Sequence, residues 1–129
     1  MKKVLFYISG ILTLVWGIAH LFPTAGIVKD FGDISLDNKL IITMEWIVEG
    51  LTLIFLGVLI LFVTRSDTKS RLANHVFIAI TGMLFAMAIL SAFTGFRVDY
   101  LPFKLCPVIF SVSAILLIAG MISKSGTSK

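Results

Sequence analysis

Apolar residues run along this chain in four long blocks, Val4 to Phe22, Leu40 to Val63, Leu72 to Phe93 and Leu105 to Ile122, separated by shorter mixed segments. A helix rises ~1.5 Å per residue, so roughly 17–25 apolar residues cross the ~30 Å of a bilayer's hydrocarbon, and each block has that length. None alternates with the period of two that marks a membrane barrel. Backbone groups in lipid must pair within their own segment, so the pattern predicts helices. The expected fold class is therefore an all-α integral membrane protein, a four transmembrane helix bundle, with residues 1–129 forming a single membrane domain. The connections are Pro23 to Lys39, Thr64 to Arg71 and Thr94 to Lys104. The middle one is short enough to predict an antiparallel hairpin of the second and third helices.

Composition supports this reading. Of 129 residues, 58% are hydrophobic and 14% charged, which leaves too little polar surface to cover a soluble fold of this size. The same numbers exclude intrinsic disorder, and the single Cys106 excludes a disulfide scaffold. The first block resembles a secretory signal, since Lys2 and Lys3 precede it and Pro23-Thr24-Ala25 follows. Its length and the proline argue against cleavage, and the block is read as a retained helix.

Charge adds an orientation. Lys2, Lys3, Arg65, Lys69, Arg71, Lys124 and Lys129 fall on one side of the expected bundle, and Lys29, Lys39, Arg97 and Lys104 on the other. This bias predicts a multi-pass protein of the cell membrane with both termini cytoplasmic. The net charge of +4 is then a matter of topology and anionic lipid, and no basic stripe interleaved with aromatic residues suggests a nucleic acid partner. The expected partner is the lipid bilayer, with a further membrane protein or a second copy of the chain left open.

Glycine spacing points to the packing. Gly10 and Gly17 are seven residues apart on the first helix, as are Gly50 and Gly57 on the second. Each pair lies on one face, and helices in lipid approach closely where such small residues meet, so these two helices are expected to pack tightly. Ser9, Thr13, Thr43 and Thr52 are expected to bond back to their own helix backbone.

Candidate chemistry lies in the three residues of the apolar blocks that titrate near or below neutral pH and lie away from the cytoplasmic boundary, His20, Glu45 and Glu49. Intramembrane groups of this kind face a bundle interior or water, because an isolated charge in lipid is costly. His20 lies ~3 Å from the outer end of its helix, and Glu45 and Glu49 ~8 and ~14 Å from the outer end of theirs. The two glutamates, spaced i, i+4, share a face adjoined by Trp46. Their carboxylates repel unless a cation lies near, and Arg97 and Lys104 of the last outer connection are the candidates beside His20. The expected ligand-binding pocket comprises His20, Glu45, Trp46, Glu49, Arg97 and Lys104. One His and two Glu can bind zinc or iron, but no HExxH or ExxH spacing occurs, so no metal is assigned. Cys106 has no second cysteine to pair with and is read as a small apolar residue, with Pro107 in the first turn of its helix. Asn74 and His75 are read as capping or interfacial residues, and Arg97, Asp99 and Tyr100 as an outer interfacial cluster. Nothing in the sequence identifies a catalytic residue or a cofactor.

Three features together, Gly10 to Gly17 with His20 three residues on, the segment Glu49-Gly50-Leu51-Thr52-Leu53-Ile54-Phe55-Leu56-Gly57, and the short basic turn into the third helix, resemble the DoxX-like group of small four-helix bacterial membrane proteins. The likeness covers about two thirds of the chain and is carried by common membrane residues. The chain departs from the group's pattern in having Leu51 where a second glycine is usual, and in having Lys2-Lys3 in place of a basic residue near the start of the first helix. The resemblance implies a four-helix bundle, sometimes an accessory subunit of a quinone- or thiol-linked redox system. The functional expectation is a binding or accessory membrane protein with a polar pocket in the outer half of the bundle. The alternative is a membrane redox subunit or enzyme acting on a quinone or lipid-like substrate.

Overall fold

The computed structural model describes residues 2–97 and 101–123, which form five helices: α1 Lys2–Leu21, α2 Thr24–Asp30, α3 Leu36–Arg65, α4 Arg71–Gly95 and α5 Leu101–Ile122. Asp99, Tyr100, Lys124 and Lys129 lie outside the described residues. Four of the helices, α1, α3, α4 and α5, are long and apolar enough to cross a membrane. They correspond to the four apolar blocks, with three differences in the connections.

The first connection is not a plain loop. Thr24 Oγ1 donates to the Leu21 carbonyl at 2.6 Å and the Ile27 N–H to the Pro23 carbonyl at 2.9 Å, so the chain turns at once into α2, which buries Ile27. Gly32, at φ 72°, ends that turn in the left-handed region that glycine adopts without strain. Next, α3 starts at Leu36 rather than Leu40, because Ser35 Oγ accepts the Asn38 N–H and caps the helix ahead of the apolar block. Finally, α5 starts at Leu101, with Pro102 in the first turn where proline suits a helix start. Pro107 is therefore inside α5, a correction to its expected place in the first turn. Of the two roles expected of Asn74 and His75, capping or interfacial, capping falls to Ser70, whose Oγ accepts the Ala73 N–H at 3.1 Å. Both Asn74 and His75 are exposed within α4.

The bundle is assembled around α1. The α1–α3 crossing is glycine-lined: a Cβ added at Gly17 would stand 2.7 Å from the Ile54 nitrogen, and one at Gly57 2.6 Å from the Leu14 nitrogen. On the other side α1 meets α5, where Gly120 lies under the Phe6 ring and Ser9 Oγ donates to the Ser113 carbonyl at 2.9 Å. Ser9 thus bonds across the bundle and not to its own helix, whereas Thr13, Thr43 and Thr52 bond four residues back as expected. Next, α4 packs on α5. The helices are connected in space in the order α3, α1, α5, α4, and α3 scarcely touches α4. The expected α3–α4 hairpin contact is therefore not made along the helices. A short turn sets the direction of the returning helix but does not supply packing partners, and α1 and α5 take the faces that the two would offer each other.

At the end of the bundle that carries Phe6, the gap between α3 and α4 is filled. Phe6 stacks on Phe77 of α4 with centroids 4.2 Å apart, and Ile60, Leu84, Phe110 and Leu117 belong to the same buried core. Toward the opposite end α3 and α4 stand apart, and a cleft opens between them.

Candidate functional site

The cleft has a volume of about 490 Å³. Its walls are Ile41, Ile42, Val48 and Thr52 of α3 and Met83, Met87, Leu90 and Thr94 of α4, with Phe31 at the end of α2 beside them. Its base is formed by His20 of α1, Trp46 and Glu49 of α3, and Phe103 and Cys106 of α5.

His20 is fixed there by the way α1 ends. The last carbonyls of a helix have no partner within it. Thr24 takes the Leu21 carbonyl, and the Trp46 indole N–H donates to the His20 carbonyl at 2.8 Å. The same indole lies on the imidazole, with ring centroids 4.0 Å apart and planes at 14°, and the Phe103 ring meets Trp46 edge-on at 5.3 Å. Trp46 thus holds both the backbone and the ring of His20, which is only 7% exposed.

Glu49, nearly one turn along α3 from Trp46, brings its Oε2 to 3.6 Å from His20 Nε2, with 35% of its side chain open to the cleft. That separation is an ion-pair distance and slightly long for a hydrogen bond. Among the described residues His20 Nε2 has no hydrogen-bond partner. Cys106, buried on α5, completes the group: one ligand atom each of His20, Glu49 and Cys106 lie within 4.8 Å of one another.

Four of the six pocket residues expected from the sequence, His20, Glu45, Trp46 and Glu49, therefore line one cleft. Glu45 does so from an exposed position on its rim. Arg97 and Lys104 do not line it. Arg97 is exposed beyond the end of α4, and Lys104 is half-buried on α5, within the helical turns that extend this element ahead of its apolar block. Sequence reasoning missed Cys106 and Phe103. The signal for Cys106 was present, since a cysteine near the start of the last apolar block falls at the same end of the expected bundle as His20 at the end of the first. Reading it alone, as an unpaired thiol, hid that coincidence.

Comparison with family models, with curated proteins and with solved structures finds no match to this chain. The DoxX-like resemblance therefore rests on the quoted residues alone.

Proposed function

We propose that the chain is a multi-pass membrane protein with both termini cytoplasmic, and that the α3–α4 cleft binds an amphipathic, lipid-like molecule from the outer half of the bilayer. Its role is that of a binding or accessory protein. Support for the membrane reading comes from the outward faces of the four long helices. Val15, Phe62, Ile89 and Ile115, one on each of these helices, are 55%, 66%, 59% and 56% exposed, and water does not tolerate a continuous apolar belt of this kind. The Lys and Arg bias supports the orientation.

The observation that carries the ligand reading is the composition of the cleft. Apolar and methionine side chains make up most of its walls, with Glu45 on the rim and the pair of buried His20 and half-buried Glu49 at the base. Its volume is within the ~300–1,000 Å³ of small-molecule sites. The methionines give walls that adapt to an irregular chain, while Glu49 and His20 offer a polar head group an acceptor and a ring nitrogen in a medium where hydrogen bonds are scarce. The unpacked α3–α4 seam lets a lipid tail enter sideways.

The test is native mass spectrometry of the protein in mild detergent, with wild type compared to Met87→Trp, which fills the cleft, and to Glu49→Gln. A retained amphipathic molecule of defined mass, lost in Met87→Trp and weakened in Glu49→Gln, is the expected result. A bound quinone would favour the redox alternative over simple lipid binding. Equal lipid retention by all three proteins would refute a cleft-specific ligand.

A further inference from the structure

We propose that His20, Glu49 and Cys106 form a binding site for a transition-metal ion of zinc type, with one coordination position left open to the cleft. The three residues come from three different helices, α1, α3 and α5, and supply one nitrogen, one oxygen and one sulfur ligand. This is the donor set that Zn²⁺ uses, and three protein ligands with a fourth position free for water or substrate is the usual form of an open zinc site. Hard cations such as Mg²⁺ and Ca²⁺ take oxygen ligands and are not matched by an imidazole and a thiol.

Geometry supports the assignment. Ligand atoms around a tetrahedral Zn²⁺ stand ~3.3–3.8 Å apart. The His20 Nε2 to Glu49 Oε2 separation of 3.6 Å already satisfies this. The remaining atoms, within 4.8 Å, need to close by ~1 Å to reach that spacing, a distance on the scale of side-chain adjustment.

The second observation is the state of His20. Its side chain is only 4% exposed, and its Nε2 has no hydrogen-bond partner among the described residues while directed at Glu49. A buried ring nitrogen normally has a partner, so its orientation calls for an explanation. Trp46, stacked on the ring and bonded to the His20 carbonyl, fixes that nitrogen in place before any ion arrives, which lowers the ordering cost of binding.

Binding requires thiolate, neutral imidazole and carboxylate. Zn²⁺ entering from the cleft therefore forms bonds to Nε2, a Glu49 oxygen and Sγ, and the thiol proton, with any proton on Glu49, leaves to water in the cleft. No electron transfer is involved. The fourth ligand, water or the head group of a cleft ligand, is polarised by the metal. The site does not rest on the lipid-binding reading, because its ligands are protein atoms alone.

The experiment uses the full chain in detergent under reducing conditions, titrated with Co²⁺ as a spectroscopic probe and then with Zn²⁺ in competition. One ion per chain should bind, with a thiolate-to-cobalt charge-transfer band that Zn²⁺ removes and with a change in Trp fluorescence. Cys106→Ala should abolish the charge-transfer band, and it and Glu49→Gln should each weaken Zn²⁺ binding by more than the ~10- to 100-fold that an outer-shell change brings. Cys106→Ala is a small change at one buried position, so a helical circular dichroism spectrum equal to wild type separates lost ligation from lost fold. Absence of a charge-transfer band in folded wild type, or Zn²⁺ affinity unchanged in both variants, would overturn the site. Neither result bears on lipid retention, which is read separately by mass.

Discussion

Replacing Gly57 with alanine tests how closely α1 and α3 approach, because the added methyl has nowhere to go. Its carbon would stand 2.6 Å from the Leu14 nitrogen and 2.8 Å from the Leu14 Cα, both backbone atoms that no rotamer change can move aside. Ordinary contact begins near ~3.4 Å, so the helices must part locally by ~0.8 Å, at a crossing that Gly17 holds equally tightly against the Ile54 nitrogen. Overpacking of this kind costs ~1–3 kcal/mol, and the rigid neighbour puts Gly57→Ala at the upper end. Gly82→Ala is the matched control, since it lies in a helix with nothing within 4 Å of the added carbon. Both substitutions gain the same intrinsic preference of alanine over glycine, up to ~1 kcal/mol, so that contribution cancels in the comparison. The expected difference between the two variants is therefore ~3 kcal/mol, or more than a hundredfold in the unfolding equilibrium constant. Reversible unfolding in mixed micelles, followed by helical circular dichroism, measures it. If Gly57→Ala proves as stable as Gly82→Ala, the α1 and α3 backbones are not in contact.

Two further outcomes follow from the packing and a third from the charge distribution. Ser9→Ala removes the buried bond to the Ser113 carbonyl and should cost ~0.6 kcal/mol, the average for such bonds between membrane helices, whereas Thr52→Ala, which loses only a bond to its own helix, should be close to neutral in the same unfolding assay. Trp46→Phe keeps a ring over His20 but frees the His20 carbonyl at the end of α1, with a loss of ~0.5–1.5 kcal/mol; no change in stability would mean that the carbonyl finds another donor. A reporter active only on the outer side of the membrane should be silent when fused after Lys129 and active when inserted after Gly32, and the reverse pattern would sink the orientation drawn from the Lys and Arg bias.

The apolar blocks made the long helices legible because in so apolar a chain the length of each block leaves little choice of structure. What they could not show was where each helix starts. Ser35 and Pro102 extend α3 and α5 beyond their apolar blocks, and both act through capping chemistry that hydropathy does not register. His20, Trp46 and Glu49 were legible as a group because two lie on one turn of one helix and the third is near the C-terminal end of a helix predicted to pack against it. Cys106 was not, since its only signal was a position at the same end of the bundle as His20, and a lone thiol read by its type gives no reason to compare positions. Arg97 and Lys104 were expected in the pocket on charge complementarity. The turn of α5 that carries Lys104 is helical and presents Phe103 to the cleft instead.

The cleft itself follows from the distribution of small residues. Gly17 and Gly57 draw α3 onto α1, Gly120 lets Phe6 of α1 settle on α5, and Gly95 brings α4 against the Phe103 carbonyl of α5. Pro107 adds to this last contact, because it has no N–H to return to the carbonyl of Phe103 four residues earlier. Each close approach commits a helix face, and together they set the spatial order α3, α1, α5, α4, in which the two helices joined by the shortest turn are the two left without a common interface. The seam is closed at one end by the Phe6–Phe77 stack, since two large rings span what small residues would not. At the other end Met83 and Met87 of α4 and Glu45 and Glu49 of α3 line the seam without closing it, and a volume is left between the two helices. A bundle selected only for stability would place bulky apolar side chains there, because a polar pair at the base of a mostly apolar cavity costs free energy that packed leucines do not. Retaining a histidine, a glutamate and a cysteine at the base of that opening is therefore what directs the functional reading to the cleft, and filling it by Met87→Trp should stabilise the fold while abolishing whatever binds there.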